Sequence, residues 1–202
     1  LDSQLRNEIF IYLRSNHKND INSDAMNAVF NQDNAIRWVK RLNRRSEYKQ
    51  AIEVAEILFA FDTNKRFLND HLPVMDLSEN DKNILEPIIS TAPPIFWASL
   101  LTYYGEALTY LTKQSESQIE TVLTKAIDEL NDLSFDRQHD WLRDRLLGYT
   151  HDRLGYLARV NGHYKNASEY YHQALQFYKD AEILDDYAFT QNNLAFVLAL
   201  LG

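Results

Sequence analysis

Apolar residues in this chain recur at steps of three and four almost throughout, and no stretch alternates with the period of two that a half-buried strand requires. Leu5, Ile9, Tyr12 and Leu13 fall on one face and predict a helix over 3–15, with Ser3 as its cap. A polar break runs from Asn16 to Asn22. Ser23 is placed to cap a helix from Asp24 to Asn31, and Asp33 or Asn34 opens the next, striped by Ile36, Val39 and Leu42. A turn at Arg45-Ser46-Glu47 leads into a helix from Tyr48 to Leu58. Residues 62–93, which hold Pro73, Pro87 and Pro93, are the least regular; Ser78 and Asp81 have the spacing to cap a short helix up to about Leu85. Pro94 suits a first helical position. It predicts a long helix over Ile95–Lys113, a turn at Ser115–Ser117 and a returning helix over Gln118–Leu130. Helices over 137–160, 164–180 and 187–201 complete an all-α chain.

The last of these segments repeat. Leu154-Gly155-Tyr156-Leu157-Ala158-Arg159-Val160-Asn161-Gly162 returns 40 residues later as Leu194-Ala195-Phe196-Val197-Leu198-Ala199-Leu200-Leu201-Gly202. Small residues at Gly155, Ala167 and Ala174 suit two helices in close approach, with Gly162 turning the chain between them. A fixed period in this range marks a stack of similar units, each too small to bury its apolar face alone.

This pattern resembles the tetratricopeptide repeat. The residues that carry the resemblance are Leu154-Gly155, Ala167-x3-Tyr171, Gly162, Tyr164, Ala174 and Leu175, while His151 and Lys179 stand where the family has an aromatic residue and Pro, and Ala158 where it has a second aromatic. The longer interval is similar to the extended repeats of kinesin light chains and of bacterial regulatory ATPases, and Thr190-Gln191-Asn192-Asn193-Leu194-Ala195 is similar to the start of a kinesin light chain repeat. Tyr48-x2-Ala51 mirrors Tyr164-x2-Ala167, so 34–60 reads as a degenerate copy with Val39 in place of Gly155. The resemblance implies a right-handed α-solenoid of helical hairpins whose first helices line a concave face. It divides the chain into N-terminal helices with a degenerate hairpin (1–61), a Pro-containing connection (62–93) and a repeat array (94–202). Leu1 in place of Met, and Gly202 where a partner helix is due, point to a piece of a longer protein, truncated within its last repeat.

Composition narrows the function classes. Cysteine is absent, so thiolate and disulfide chemistry are excluded and a cytoplasmic location is expected. No apolar run approaches the roughly 18 residues of a membrane span. Residues 1–76 carry 11 basic and 11 acidic side chains, whereas 77–202 carry 10 and 18 and hold the whole net charge of −8. That acidic half disfavours nucleic acid as a partner. There is no phosphate loop, zinc-binding His pair or nucleophile elbow, and the six His are scattered. Neither catalysis nor a cofactor or metal is expected. Arg37, Lys40, Arg41, Arg44 and Arg45 place five cations on one side of a helix. They read as favourable charge at a helix C-terminus, paired with Glu47, Glu53 or Glu56, rather than as an anion site.

The candidate site is a surface. On 137–160, Tyr149, Asp152, Tyr156, Arg159 and Val160 lie away from the Leu154/Gly155/Ala158 packing stripe, and one repeat later Phe189, Asn192, Phe196, Ala199 and Leu200 take the same phases. Arg153 and Asn193 flank them. Asparagine can pair with the amide of an extended peptide, and Arg153 or Arg159 can hold a carboxylate at two points. The resemblance implies that Asn192 and Asn193 contact a bound peptide backbone over a floor of Tyr149, Tyr156, Phe189 and Phe196. The expected function is noncatalytic protein or peptide binding, including a domain of the same full-length chain; the alternative is the effector-sensing arm of a signal-transducing ATPase or transcription activator.

Overall fold

A computed structural model describes residues 24–62, 83, 86, 89–111, 115–133 and 140–202. The predicted helix over 3–15, the Ser78–Asp81 cap and most of the connection 62–93 lie outside them. The described residues include seven helices with defined bounds: α1 (Asp24–Arg44), α2 (Tyr48–Phe59), α3 (Pro94–Tyr110), α4 (Glu116–Asn131), α5 (Asp140–Val160), α6 (Tyr164–Asp180) and α7 (Leu184–Leu201). The described residues contain no strand. They group into two compact units, 1–100 and 101–202.

In the first unit α1 packs on α2. The polar run Asn31-Gln32-Asp33-Asn34 reads as a break between two helices, yet α1 passes through it without interruption. Gln32 and Asn34 are buried there, and Gln32 Nε2 donates to Thr91 Oγ1 at 3.3 Å. Tertiary partners thus override a weak local preference against helix. Val39, Leu42, Ala51, Val54, Ala55 and Leu58 form the core, and Phe59 lies 6.4 Å from Trp97 in a stacked pair. Of the five clustered cations, Arg37 pairs with Asp33, while Arg45 pairs with Glu47 at 2.8 Å; Glu53 is taken by Lys49.

In the second unit α5 packs on α4 and α6, and α6 on α7. The contact between α5 and α6 is set by glycine. A Cβ at Gly155 would stand 2.7 Å from the Tyr171 ring, and one at Gly148 would stand 2.8 Å from the Tyr178 ring. Both tyrosines are fully enclosed, and Tyr171 shares one core cluster with Ala158, Ala167, Leu194 and Val197. Gly105 receives Leu123 of α4 in the same way, its Cβ position 2.4 Å from the leucine. Bulk opposite absence of bulk fixes the register of each pair.

Helix ends differ from expectation by one turn or less. Ser115 is a cap rather than the start of a turn: its hydroxyl accepts from the Gln118 backbone while the Gln118 side chain returns to the Ser115 amide. The final helix starts at Leu184 and not 187, taking Asp185 and Asp186 into its first turn, where carboxylates oppose the helix dipole. Three turns share one closure. Glu47 N donates to Leu42 O, His163 N to Ala158 O and Ile183 N to Tyr178 O, each at 2.8–2.9 Å, after a residue at positive φ (Ser46, Gly162, Glu182). Gly162 turns the chain as its residue type predicts; Ser46 and Glu182 hold the same conformation at some steric expense.

Candidate functional site

Within the second unit, one face is lined by aromatic residues placed seven apart. Tyr149 and Tyr156 of α5 are followed in α7 by Phe189 and Phe196, and preceded in α3 by Tyr103 and Tyr110. The rings of Tyr103 and Tyr149 are 5.9 Å apart, and those of Tyr110 and Tyr156 are 5.2 Å apart, both tilted. Seven residues make two helical turns, so each helix presents its two rings on one side.

Between the two rows of rings lies a buried polar network. Asp152, only 2% exposed, accepts from Thr190 Oγ1 at 2.9 Å and from Asn193 Nδ2 at 3.4 Å through one oxygen, and from Arg153 through the other. Arg153 also donates to the Tyr110 hydroxyl at 2.8 Å and lies 3.8 Å from Glu106, whose carboxylate takes the hydroxyl of Tyr149. Burial opposes the charge of Arg153, but Asp152, Tyr149, Tyr110 and Glu106 around it hold its pKa above the ordinary range. Burial pushes the Tyr149 hydroxyl up, as does Glu106, with Arg153 acting in the other direction. Tyr171, behind the same network, is pushed up to about 12 by burial and by Asp152, with Arg159 and Arg153 partly offsetting them. Tyr149 and Tyr171 are therefore neutral at neutral pH.

The nine candidate residues divide into two groups. Asp152, Arg153 and Asn193 are drawn inward and bind one another; Tyr149 joins them through Glu106. Tyr156 and Arg159 are half-buried at the surface, and Asn192, Phe189 and Phe196 are exposed, the two phenylalanines at 61% and 52%. Arg159 reaches over two rings, its guanidinium carbon 5.1 Å from the centre of Tyr156 and 5.4 Å from that of Phe196. Tyr103, Glu106 and Tyr110 belong to the same face and were not singled out by the 40-residue interval, because α3 precedes α5 by 46 residues instead; Thr190, which stands 40 residues after Thr150, joins them through Asp152. The recurring pair of aromatic residues seven apart is the signal that finds Tyr103 and Tyr110.

Among the described residues no three His, Asp or Glu side chains converge to hold a metal, and no helix is long and apolar enough to cross a membrane. His163 pairs with Glu116 at 3.0 Å, and His151 stacks on Phe177. What the face offers is a set of rings, one arginine and one primary amide open to a partner, backed by a rigid polar wall. Compared with known protein families, with curated proteins and with solved structures, the chain matches none.

Proposed function

We propose that the second unit is a right-handed stack of helical hairpins of the tetratricopeptide kind and that it binds an extended segment of another protein, or of its own full-length chain, along the face built by α3, α5 and α7. The observation that carries this reading is the pair Phe189 and Phe196, more than half exposed, continuing a row of rings whose earlier members are packed. Large apolar side chains that continue an ordered row and meet solvent mark an interaction surface. Asn192 stands between them, free to match the donor and acceptor of a peptide amide. The glycine-seated pairs of α5 with α6 and the common turn closures support the stacking part of the reading. Noncovalent binding needs no cofactor.

Panning a random dodecapeptide display library on the whole chain, against a Phe189→Ser/Phe196→Ser double variant confirmed to be folded, tests the reading. The intact face is expected to enrich segments rich in large apolar residues, and the double variant to lose them. Equal enrichment on both would place binding elsewhere and defeat the proposal.

A further inference from the structure

The geometry points to Arg159 as the anchor for a single side-chain carboxylate of the bound segment, next to an apolar residue lying over Phe196. This assignment rests on the peptide-binding reading and adds the chemical class that the face selects.

Two arginines of α5 have opposite fates. Arg153 is 8% exposed and its terminal nitrogens are committed to Asp152, Glu106 and Tyr110. Six residues further on, Arg159 is only half-buried and has no carboxylate partner among the described residues, although the unit is rich in acid. Its Nε is buried, as is that of Arg153, and the Tyr171 hydroxyl lies near enough to interact with the guanidinium from behind. The rings of Tyr156 and Phe196 lie against its guanidinium, which leaves the terminal nitrogens at the outer edge of the fork for a ligand. A planar carboxylate matches that fork with two parallel bonds, and a flank of low polarity strengthens them.

The surroundings limit the charge of the ligand. Residues 77–202 carry 18 acidic against 10 basic side chains, and Asp152 lies in the wall behind Arg159. A polyanionic segment, or a phosphate with nearly two charges, is repelled by that field before contact. One Glu or Asp among apolar or basic neighbours is not. Asn192, one turn before Phe196, is positioned for the backbone beside such a residue.

Nonapeptide libraries with a fixed central Glu, Gln, phosphoserine or Lys, and acid-free random positions elsewhere, can be presented to the whole chain. The Glu pool is expected to be retained about tenfold or more over the Gln pool, the size of one charge-assisted pair, with apolar residues enriched beside it. Arg159→Gln should erase the difference between Glu and Gln while keeping the apolar enrichment; Arg159→Lys, which keeps the charge and loses the fork, should retain part of it. If Arg159→Gln fails to fold, the reduced preference of Arg159→Lys carries the test. Glu and Gln pools held alike by the parent, a preference for phosphoserine, or an undiminished Glu preference in either variant would overturn the assignment. Apolar enrichment without acid preference would sink this inference alone, whereas retention of no pool by the parent would sink the peptide-binding reading with it.

Discussion

The two sides of α5 are built on opposite rules. Its back carries Gly148, Gly155 and Ala158, small residues that admit the rings of Tyr178 and Tyr171 to within van der Waals contact of the backbone. Its front carries Tyr149, Tyr156 and Arg159, large residues set on a floor of buried charge and hydrogen bonds. The back is specified by shape and the front by polarity. A shape-specified contact tolerates little change in volume. The front rows are held by Asp152 and Arg153 beneath them, so their outer edges need not be covered for the unit to fold.

Removing Asp152 attacks the seam between the two sides and carries the largest expected effect. Asp152→Ala leaves Arg153 with Glu106 at 3.8 Å as its remaining carboxylate and orphans Thr190 and Asn193. Breaking a buried pair of this kind costs about 3–5 kcal/mol, read as a drop in the denaturation midpoint at constant m-value. Asp152→Asn, which still accepts from Thr190, should lose clearly less. Equal losses would mean that shape, and not charge, organises the front.

Gly155→Ala tests the back. The added Cβ meets ring atoms of Tyr171 at 2.7 Å, and a rigid ring between helices has no room to move. Overpacking is expected to cost about 1–3 kcal/mol, reduced by up to about 1 kcal/mol from the gain in helix propensity. Combining Gly155→Ala with Tyr171→Leu should restore part of the loss, a coupling that a double-mutant cycle reads directly. Additive losses would show that the ring and the glycine do not set the spacing of α5 and α6.

Acid weakens the back through His151. Burial against Phe177 lowers its pKa from 6.5 to about 4. The folded chain binds that proton less readily than the unfolded chain, so the neutral ring favours folding. Its contribution is fully present above about pH 6.5 and is lost as the pH falls from there toward 4, by at most about 1.4 kcal/mol per pH unit. Other carboxylates titrate in the same range, so the quantity to follow is the difference from His151→Phe. That difference should be flat above pH 6.5 and widen below it; a difference independent of pH would show that His151 is solvated in the folded chain.

The back was far more legible in the sequence than the front. Gly155, Ala158, Ala167, Tyr171 and Ala174 keep a spacing that only close helix packing explains, and Gly162 turns the chain where a residue free to take positive φ is due. The front obeys a different logic. Periodicity puts Asp152, Arg153, Asn193 and Tyr149 on or beside the accessible phase, but helical phase does not say whether a polar side chain meets solvent or a neighbour of complementary charge. The partners that decide it, Glu106, Tyr110 and Thr190, lie 38 to 43 residues away. The continuous α1 shows the same gap between local pattern and distant partner: Gln32 reads as a breaker until Thr91 is beside it.

Changes at the outer edge of the front should affect stability least. Phe189 is 61% exposed and makes no ring pair among the described residues, so Phe189→Ser is expected to stay within about 0.5 kcal/mol of the parent. Phe196 is nearly as exposed but carries Arg159, and its loss should cost about 0.5–1 kcal/mol, the worth of an exposed cation over a ring. Raised salt should narrow the gap between the two variants little, since a ring offers no net charge to screen. Arg159→Gln should cost less in the Phe196→Ser background than in the parent, because the contact with Phe196 is already gone and only that with Tyr156 remains to be lost. If Phe189→Ser alone cost more than about 2 kcal/mol, that ring would be packed within the folded chain, and the open edge that distinguishes the front of α5 from its back would disappear.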